Sequence, residues 1–480
     1  MIEITIRDNE FSYDVKALAL AFYPEEECEV IQNPNIGSMD GYYIRCVFHG
    51  ELFFDEFLPA PYDKNQVKKV IYNYFSKRRN RLLPWGILTG IRPAKIPLRM
   101  LLAGMNRTEV EKQMRDVYQC QENKVQLSID VAEREYELTK DMKHTDCYSV
   151  YIGIPFCPTR CHYCSFAAYP IAQYQAYTDR YLDALEKEME FSGGLLPGRR
   201  LTSIYVGGGT PTSLSAKQLE RLMKMIHKYF RVSESLEFTV EAGRPDSITK
   251  EKLLVLKQYA VSRISINPQT MKQDTLERMG RKHSPNSIRS TFYLARECGF
   301  DNINMDLIVG LPGETLTDFQ YTMQEIEKLR PDSITIHTLV IKRASKLREE
   351  QSAQMEQGAG LICESDVAMQ MQDYGQDFAY ARGYLPYYMY RQKNKSGVTK
   401  NTNQENVAYS LPGKECLYNI FIMEELETII ALGAGGSTKV VYPDENRMER
   451  VGNVKGIEEY IDRIDEMIER KRVYILEQQK

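Results

Sequence analysis

The chain has 480 residues, of which 43% are hydrophobic and 27% charged, and a formal net charge of −4. That is the composition of a globular protein with two or three domains, and the slight acidity excludes a general nucleic-acid binder. No apolar run reaches the ~20 residues of a membrane span, and ten cysteines in this length make no disulfide framework.

The first eight residues, MIEITIRD, alternate like a strand and lack the apolar core of a signal peptide. With no disulfide framework among the ten cysteines, a reducing cytoplasm is the expected compartment. Residues 1–147 read as an α+β region of unknown role. Short strands are expected near residues 4–6, 29–31, 43–48 and 52–58, with His49-Gly50 as the hairpin turn between the last two. Residues 65–75 have helical apolar spacing at Val67, Val70, Ile71, Tyr74 and Phe75. The helix runs into Lys77-Arg78-Arg79-Asn80-Arg81, a basic run that suits a solvated helix end; a docking patch for an acidic partner is the alternative. The only tryptophan, Trp85, lies in the Gly- and Pro-rich stretch of residues 83–95, read as a structural turn. Two helices are expected near residues 107–118 and 124–140, then a polar linker over 142–146.

From Tyr148 a period appears. Apolar strands at residues 149–154, 203–206, 236–240, 263–266, 302–309 and 333–340 alternate with helices near 174–191, 216–229, 250–259, 286–298 and 316–329. Each unit takes about 30 residues, the length of a strand–helix–strand repeat. Alternation of this kind predicts a parallel sheet, either a partial barrel or a doubly wound sheet, with ligands at the C-terminal ends of the strands.

The candidate functional residues follow those strands. The first strand empties into Pro155-Phe156-Cys157-Pro158-Thr159-Arg160-Cys161-His162-Tyr163-Cys164, where three cysteines are spaced CxxxCxxC. Closed zinc and ordinary iron–sulfur sites each want four protein ligands. Three thiolates suit a four-iron cluster with one iron open to a small molecule; His162 as a fourth ligand would instead suit zinc. After strand two comes Gly207-Gly208-Gly209-Thr210-Pro211-Thr212, whose glycines let a ligand approach the backbone. After strand three comes Glu241, a carboxylate able to accept two ribose hydroxyls. After strand four come Asn267-Pro268-Gln269 and then Arg281; late in strand five is Asp306, before Gly310-Leu311-Pro312-Gly313. Gln, Arg and Asp at one mouth would suit a zwitterionic amino-acid moiety. Beyond the repeat, residues 391–400 are basic (Arg391, Lys393, Lys395, Lys400) and would suit carboxylates; a mobile solvated loop is the alternative. Residues 457–470 read as a closing amphipathic helix.

Taken together, YIGIPFCPTRCHYC, GGGTPT, Glu241, Gln269, Arg281 and DLIVGLPG resemble the radical S-adenosylmethionine superfamily, in particular the oxygen-independent coproporphyrinogen III oxidase family and its HemZ-type subgroup. The resemblance is strong over residues 148–345 and looser to about 445, where Tyr387-Tyr388-Met389-Tyr390-Arg391 and Ala431-Leu432-Gly433-Ala434-Gly435-Gly436 carry it. It implies an α/β fold: a partial (β/α)6 barrel over 148–345, after the N-terminal α+β region (1–147) and before a mixed C-terminal domain (346–480). It implies that Cys157, Cys161 and Cys164 ligate a [4Fe-4S] cluster. Tyr151, Gly208 and Glu241 would contact one S-adenosylmethionine; Tyr163, Gly209, Thr210, Gln269, Arg281 and Asp306 would contact a second. Tyr151 and Tyr163 would be catalytic. The implied reaction is oxidative decarboxylation of coproporphyrinogen III in anaerobic haem synthesis, with a reducing donor such as flavodoxin or ferredoxin as partner. Two relatives of different activity remain as alternatives: a haem-binding chaperone and a radical tetrapyrrole methyltransferase. Phe166 departs from the oxidase pattern, standing two residues after Cys164 where the oxidase carries a further cysteine, and Asn267-Pro268 replaces a small apolar pair.

Overall fold

The computed structural model describes residues 1–34, 36, 41–164, 166, 168–339, 365–391, 405–442 and 447–477. The expected domain boundary at 345 and residues 392–400 of the basic loop lie outside them. The described chain forms two compact units.

The first unit holds residues 1–136, with 365–366, 389–391 and 405–406 among the described residues. Its sheet has strands β1 (Ile2–Ile6), β2 (Cys28–Gln32), β3 (Gly41–Phe48) and β4 (Glu51–Pro59) in the order β2-β1-β3-β4. Only β1 and β2 run parallel, joined through a helix, Ser12–Phe22, that the apolar spacing did not reveal. The β3–β4 turn is His49-Gly50, both at positive φ (53° and 86°), as a two-residue hairpin requires. Helix Lys64–Arg79 starts on an Asp63 capping box and ends at left-handed Asn80. Residues 77–81 at its basic terminus are exposed, as expected of a solvated helix end, and two of the arginines also pack on aromatic rings. Arg78 lies over the rings of Phe48 and Phe53, and Arg79 lies over Tyr23 and donates to Phe22 O at 3.2 Å. Trp85 is buried and donates to Glu405 at 3.0 Å, and Glu405 also takes buried Lys124 at 2.6 Å. Arg391 is buried too: its N–H donates to Ile91 O and its guanidinium to Leu88 O. It is therefore a structural residue, not part of an exposed basic loop.

The second unit is built on strands β5 (Cys147–Ile154), β8 (Arg200–Gly208), β9 (Glu237–Gly243), β10 (Arg263–Ile266), β11 (Ile303–Val309) and β12 (Ser333–Thr338), with the two-residue pair β6 (Phe156–Cys157) and β7 (Tyr169–Pro170) in the loop after β5. The six long strands are mutually parallel. Their residues are buried almost without interruption, as expected when both faces of a parallel sheet are covered. Among the described residues six α-helices connect them, one more than expected because the short helix Gln273–Arg278 precedes Pro285–Glu297 between β10 and β11; Ala216–Tyr229 and Leu316–Leu329 are both opened by capping boxes. This is the partial (β/α)6 barrel. The same sheet continues through β13 (Leu385–Arg391), β14 (Glu405–Ser410), β15 (Thr428–Leu432), β16 (Ser437–Tyr442) and β17 (Arg447–Gly452). β14 is antiparallel to β12 at one edge; β15 adds a seventh parallel strand beside β5 at the other. The closing helix is two, Ile457–Asp462 and Ile464–Arg472, broken at Arg463.

Candidate functional site

The candidate residues fall late in, or beyond, strands β5, β8, β9, β10 and β11: Tyr151 and Asp306 stand three residues before the ends of β5 and β11, Glu241 two before the end of β9, and the others at the strand ends or in the loops after them. The three glycines at the end of β8 each make room for something different. A Cβ on Gly207 would lie 2.8 Å from the Glu241 carboxyl carbon. One on Gly208 (φ 101°) would lie 3.0 Å from the Tyr151 hydroxyl, and one on Gly209 would lie 2.6 Å from Phe156 O. The end of β8 is thereby pressed onto the segment entering Cys157. Gly209 N–H donates to Ile154 O (2.8 Å), Thr210 N–H to Phe156 O (2.7 Å) and Thr210 Oγ1 to Cys157 Sγ (3.5 Å).

Two guanidinium groups face the Cys161 thiol. Arg244 Nη1 lies 3.8 Å and Arg281 Nη1 3.7 Å from its sulfur. Arg244 is fixed by both Asp246 oxygens (2.9 and 2.6 Å) and by Thr159 O and Oγ1 (3.1 and 2.7 Å). Arg281 donates to Tyr163 OH (2.9 Å), to His283 Nε2 (3.3 Å) and to Asn267 O. It thus sides with the cysteine loop, and none of its hydrogen bonds goes to Gln269 or Asp306. Tyr163 packs against Met279, Ile308, Leu311 and Leu339. Cys164 N–H donates to Cys161 O at 3.1 Å, and His162 packs its ring against Gly280.

A second group lies across the strand ends. Tyr151, Tyr205 and Tyr418 stack, with Tyr205 and Tyr418 centroids 4.5 Å apart. Tyr205 OH donates to Glu241 Oε1 at 2.6 Å. Burial nevertheless pushes the Glu241 carboxyl up to about 7, with the Asp306 charge adding to the rise. Burial also opposes ionisation of Asp306, but His337, Asn304 and Arg263 outweigh it and hold that carboxyl below its ordinary value. Asn304 Nδ2 donates to Asp306 Oδ1 at 2.7 Å, Ser333 Oγ to Asn304 Oδ1 at 3.0 Å, and buried Arg263 Nη2 to Ser333 Oγ at 3.2 Å. Gln269 sits at φ 68°, held by Asp306 O and Ile308 N–H, and its Oε1 is buried with no protein partner.

Sequence reasoning missed Arg244, His283, Tyr205, Tyr418 and the Arg263–Ser333–Asn304 chain. Tyr205 carried a faint signal, lying two residues before Gly207 and so on the same face of its strand; Tyr418 carried none, being brought in by the chain after β14.

The donor set suits an iron–sulfur cluster: soft thiols in one loop, flanked by charged N–H groups and by a backbone cradle that admits only glycine. The described cysteines are all free thiols. No group of three or more His, Cys, Asp or Glu among the described residues closes on a single metal ion. A four-iron cluster spreads its thiolates over separate irons, so the sulfurs need not converge on one point.

Residues 151–326 match the radical SAM superfamily. The oxygen-independent coproporphyrinogen-III oxidase-like protein HemZ of Bacillus subtilis (strain 168) is 39% identical over 416 residues, covering 86% of this chain and 81% of that protein. The heme chaperone HemW of the same organism is 42% identical over 195 residues, 40% of this chain and 51% of that one. The oxygen-independent coproporphyrinogen III oxidase of Escherichia coli (strain K12) is 33% identical over 188 residues, 39% of this chain and 41% of that one. The chain thus spans about half the length of this chaperone, and less of this oxidase. Among solved structures, coproporphyrinogen III oxidase (HemN) from Escherichia coli superposes with a TM-score of 0.53 at 22% identity, over 68% of this chain and 71% of that one, which supports the fold. No described helix is long and apolar enough to cross a membrane. Family membership implies a [4Fe-4S] cluster and S-adenosylmethionine, and the chain belongs to the radical SAM superfamily, in its HemZ-type group of oxygen-independent coproporphyrinogen-III oxidase-like proteins.

Proposed function

We propose that the protein is a radical enzyme acting on a tetrapyrrole, with oxidative decarboxylation of coproporphyrinogen III as its reaction. The observation that carries this is the joining of two groups at one barrel mouth: a three-thiol loop, and beside it Glu241, Asp306 and the unpartnered Gln269 amide. Cys157, Cys161 and Cys164 would hold the cluster. Together with S-adenosylmethionine, the cluster would supply one-electron chemistry that removes a hydrogen atom from an unactivated carbon. The glycine run at the end of β8 and Tyr151 would seat the nucleoside, with Glu241 accepting its ribose hydroxyls. That role needs the carboxylate, so Glu241's elevated value ties nucleotide affinity to pH near 7. Asp306 and Gln269 would take the amino-acid part of a second S-adenosylmethionine, and Asp306's hydrogen bonds keep it ionised for an ammonium. Tyr163 and Arg281 would close the wall between that molecule and the cysteine loop. Flavodoxin or ferredoxin would be the electron donor, and the cytoplasm the compartment.

A second reading is haem binding and delivery. Phe166, at the end of the cysteine loop, is 65% exposed, which suits contact with a flat macrocycle, and the chaperone HemW is 42% identical over 195 residues. The deciding experiment is anaerobic. Reconstituted protein is given reductant, S-adenosylmethionine and coproporphyrinogen III, and products are followed by mass spectrometry. Stepwise loss of two CO₂ with 5′-deoxyadenosine supports the oxidase. Neither product, with tight haem binding, supports the chaperone. Cys161→Ala is expected to lose the cluster, read as iron content and visible absorbance.

A further inference from the structure

We infer that Arg244 and Arg281 set the reduction potential of the cluster by donating charged N–H groups to the sulfur of Cys161. The inference rests on the proposed role of Cys161 as a cluster ligand, and it concerns residues to which that proposal assigns no redox role.

The cysteine loop is asymmetric. Cys157 receives one neutral donor, the Thr210 hydroxyl at 3.5 Å. Cys161 receives two guanidinium groups, at 3.8 Å from Arg244 and 3.7 Å from Arg281. Both arginines are buried, 3% and 4% exposed, so their charges are poorly screened. They reach the sulfur from different strands, Arg244 from the end of β9 and Arg281 from beyond β10. Each is anchored independently: Arg244 by Asp246 and Thr159, Arg281 by Tyr163, His283 and Asn267. The carboxylate shared by this cluster of groups is Asp246, which also faces His283 Nδ1 at 3.8 Å. Burial holds His283 below its ordinary value. Two guanidiniums against one carboxylate leave a net positive field at Cys161. Reducing the cluster by one electron adds one negative charge to the iron, sulfide and thiolate assembly, with no proton taken up. Charged donors to a thiolate favour that more negative state, and hydrogen bonds to the sulfurs are among the features that set such potentials. The arrangement would bring the cluster within reach of a protein electron donor.

The test is a potentiometric titration of the reconstituted full-length protein under argon. Dithionite is the reductant, the reduced cluster is read by electron paramagnetic resonance, and S-adenosylmethionine is left out. Arg244→Met with full iron and sulfide content is expected to have a more negative midpoint. The expected change is at least tenfold in the oxidised-to-reduced ratio at fixed potential, about 59 mV for a one-electron couple. Arg281→Met is expected to shift it in the same direction, and Arg244→Lys, which keeps the charge, to recover most of the loss. Unchanged midpoints in both Met variants at full cluster content overturn the inference. So does loss of the cluster from Arg244→Met and Arg244→Lys alike, which would make Arg244 a clip for the loop. A Cys161→Ala protein that keeps a full cluster fails differently, by removing the ligand reading underneath.

Discussion

Two sets of buried polar groups, one in each unit, behave differently. In the N-terminal unit two clusters close on themselves, although Tyr23 OH and Gln119 Oε1 there are buried with no hydrogen-bond partner. Lys68 donates to Thr89 at 3.0 Å, Thr89 to Asp14 at 2.7 Å, and Lys124 and Trp85 share Glu405. Along and just beyond the barrel's fourth parallel strand they stay open. Arg263 Nε, Ser265 Oγ, Asn267 Oδ1 and Gln269 Oε1, at every second residue, are buried without protein partners. Alternation puts Arg263 and Ser265 on one face of β10, which ends at Ile266; Asn267 and Gln269 lie beyond it, with Gln269 at φ 68°. Buried polar atoms cost stability unless something completes them. The closed clusters hold a fold together; the open set fits a surface that water or a ligand completes.

The sharpest way to break this contrast is in the closed clusters. Lys124→Met removes the ammonium 2.6 Å from the buried Glu405 carboxylate, and the expected loss is about 3 kcal/mol, read by denaturant unfolding, with the charge of buried Arg391 still facing that carboxylate. A loss below 1 kcal/mol would mean that the cluster is not closed in solution. Next is the cradle beneath the cysteine loop. Gly209→Ala sets a methyl 2.6 Å from one backbone oxygen and 2.8 Å from another. Overpacking of this kind costs about 1–3 kcal/mol, and cluster retention is expected to fall with it, measured as iron content after desalting.

Acidity sharpens the contrast further. The Glu241 carboxyl rises from its ordinary 4.5 to about 7 in the folded state. The folded protein therefore holds this proton more tightly than the unfolded chain. Stability from this group is present below about 4.5 and is lost as pH rises through about 7. Glu241→Gln is expected to raise the melting temperature at pH 8 more than at pH 5, and to weaken S-adenosylmethionine binding at pH 8. The smallest effect is expected at the β3–β4 turn. A methyl on Gly50 meets nothing within 4 Å, so Gly50→Ala pays only for its left-handed backbone, about 1 kcal/mol, with the cluster untouched.

Much of this was legible in the residues. The strand at residues 263–266 and the helices at 216–229 and 316–329 are found at the expected bounds. There, period-2 or period-3.6 apolar spacing meets clear capping residues. Helix Ser12–Phe22 was missed because it is apolar over much of its surface and lacks a side-chain cap. The break at Arg463 was missed because the apolar spacing runs through it. In the site, CxxxCxxC and GGGTPT were legible because their chemistry is local. The partners of Cys161 were not, because Arg244 and Arg281 lie 83 and 120 residues away along the chain.

The sequence by itself determined the alternation of strand and helix, the cysteine spacing and the family, because periodicity and motif order are properties of neighbouring residues. Only the tertiary structure decided which polar groups are spent on the protein and which are left open. It buried Arg391 against the Leu88 and Ile91 carbonyls, turned Arg281 toward Cys161, and stacked Tyr418 on Tyr205. It also left Gln269 Oε1 without a partner. Those outcomes depend on which strand ends meet in space, and a side chain's partner across a barrel mouth has no fixed distance along the chain.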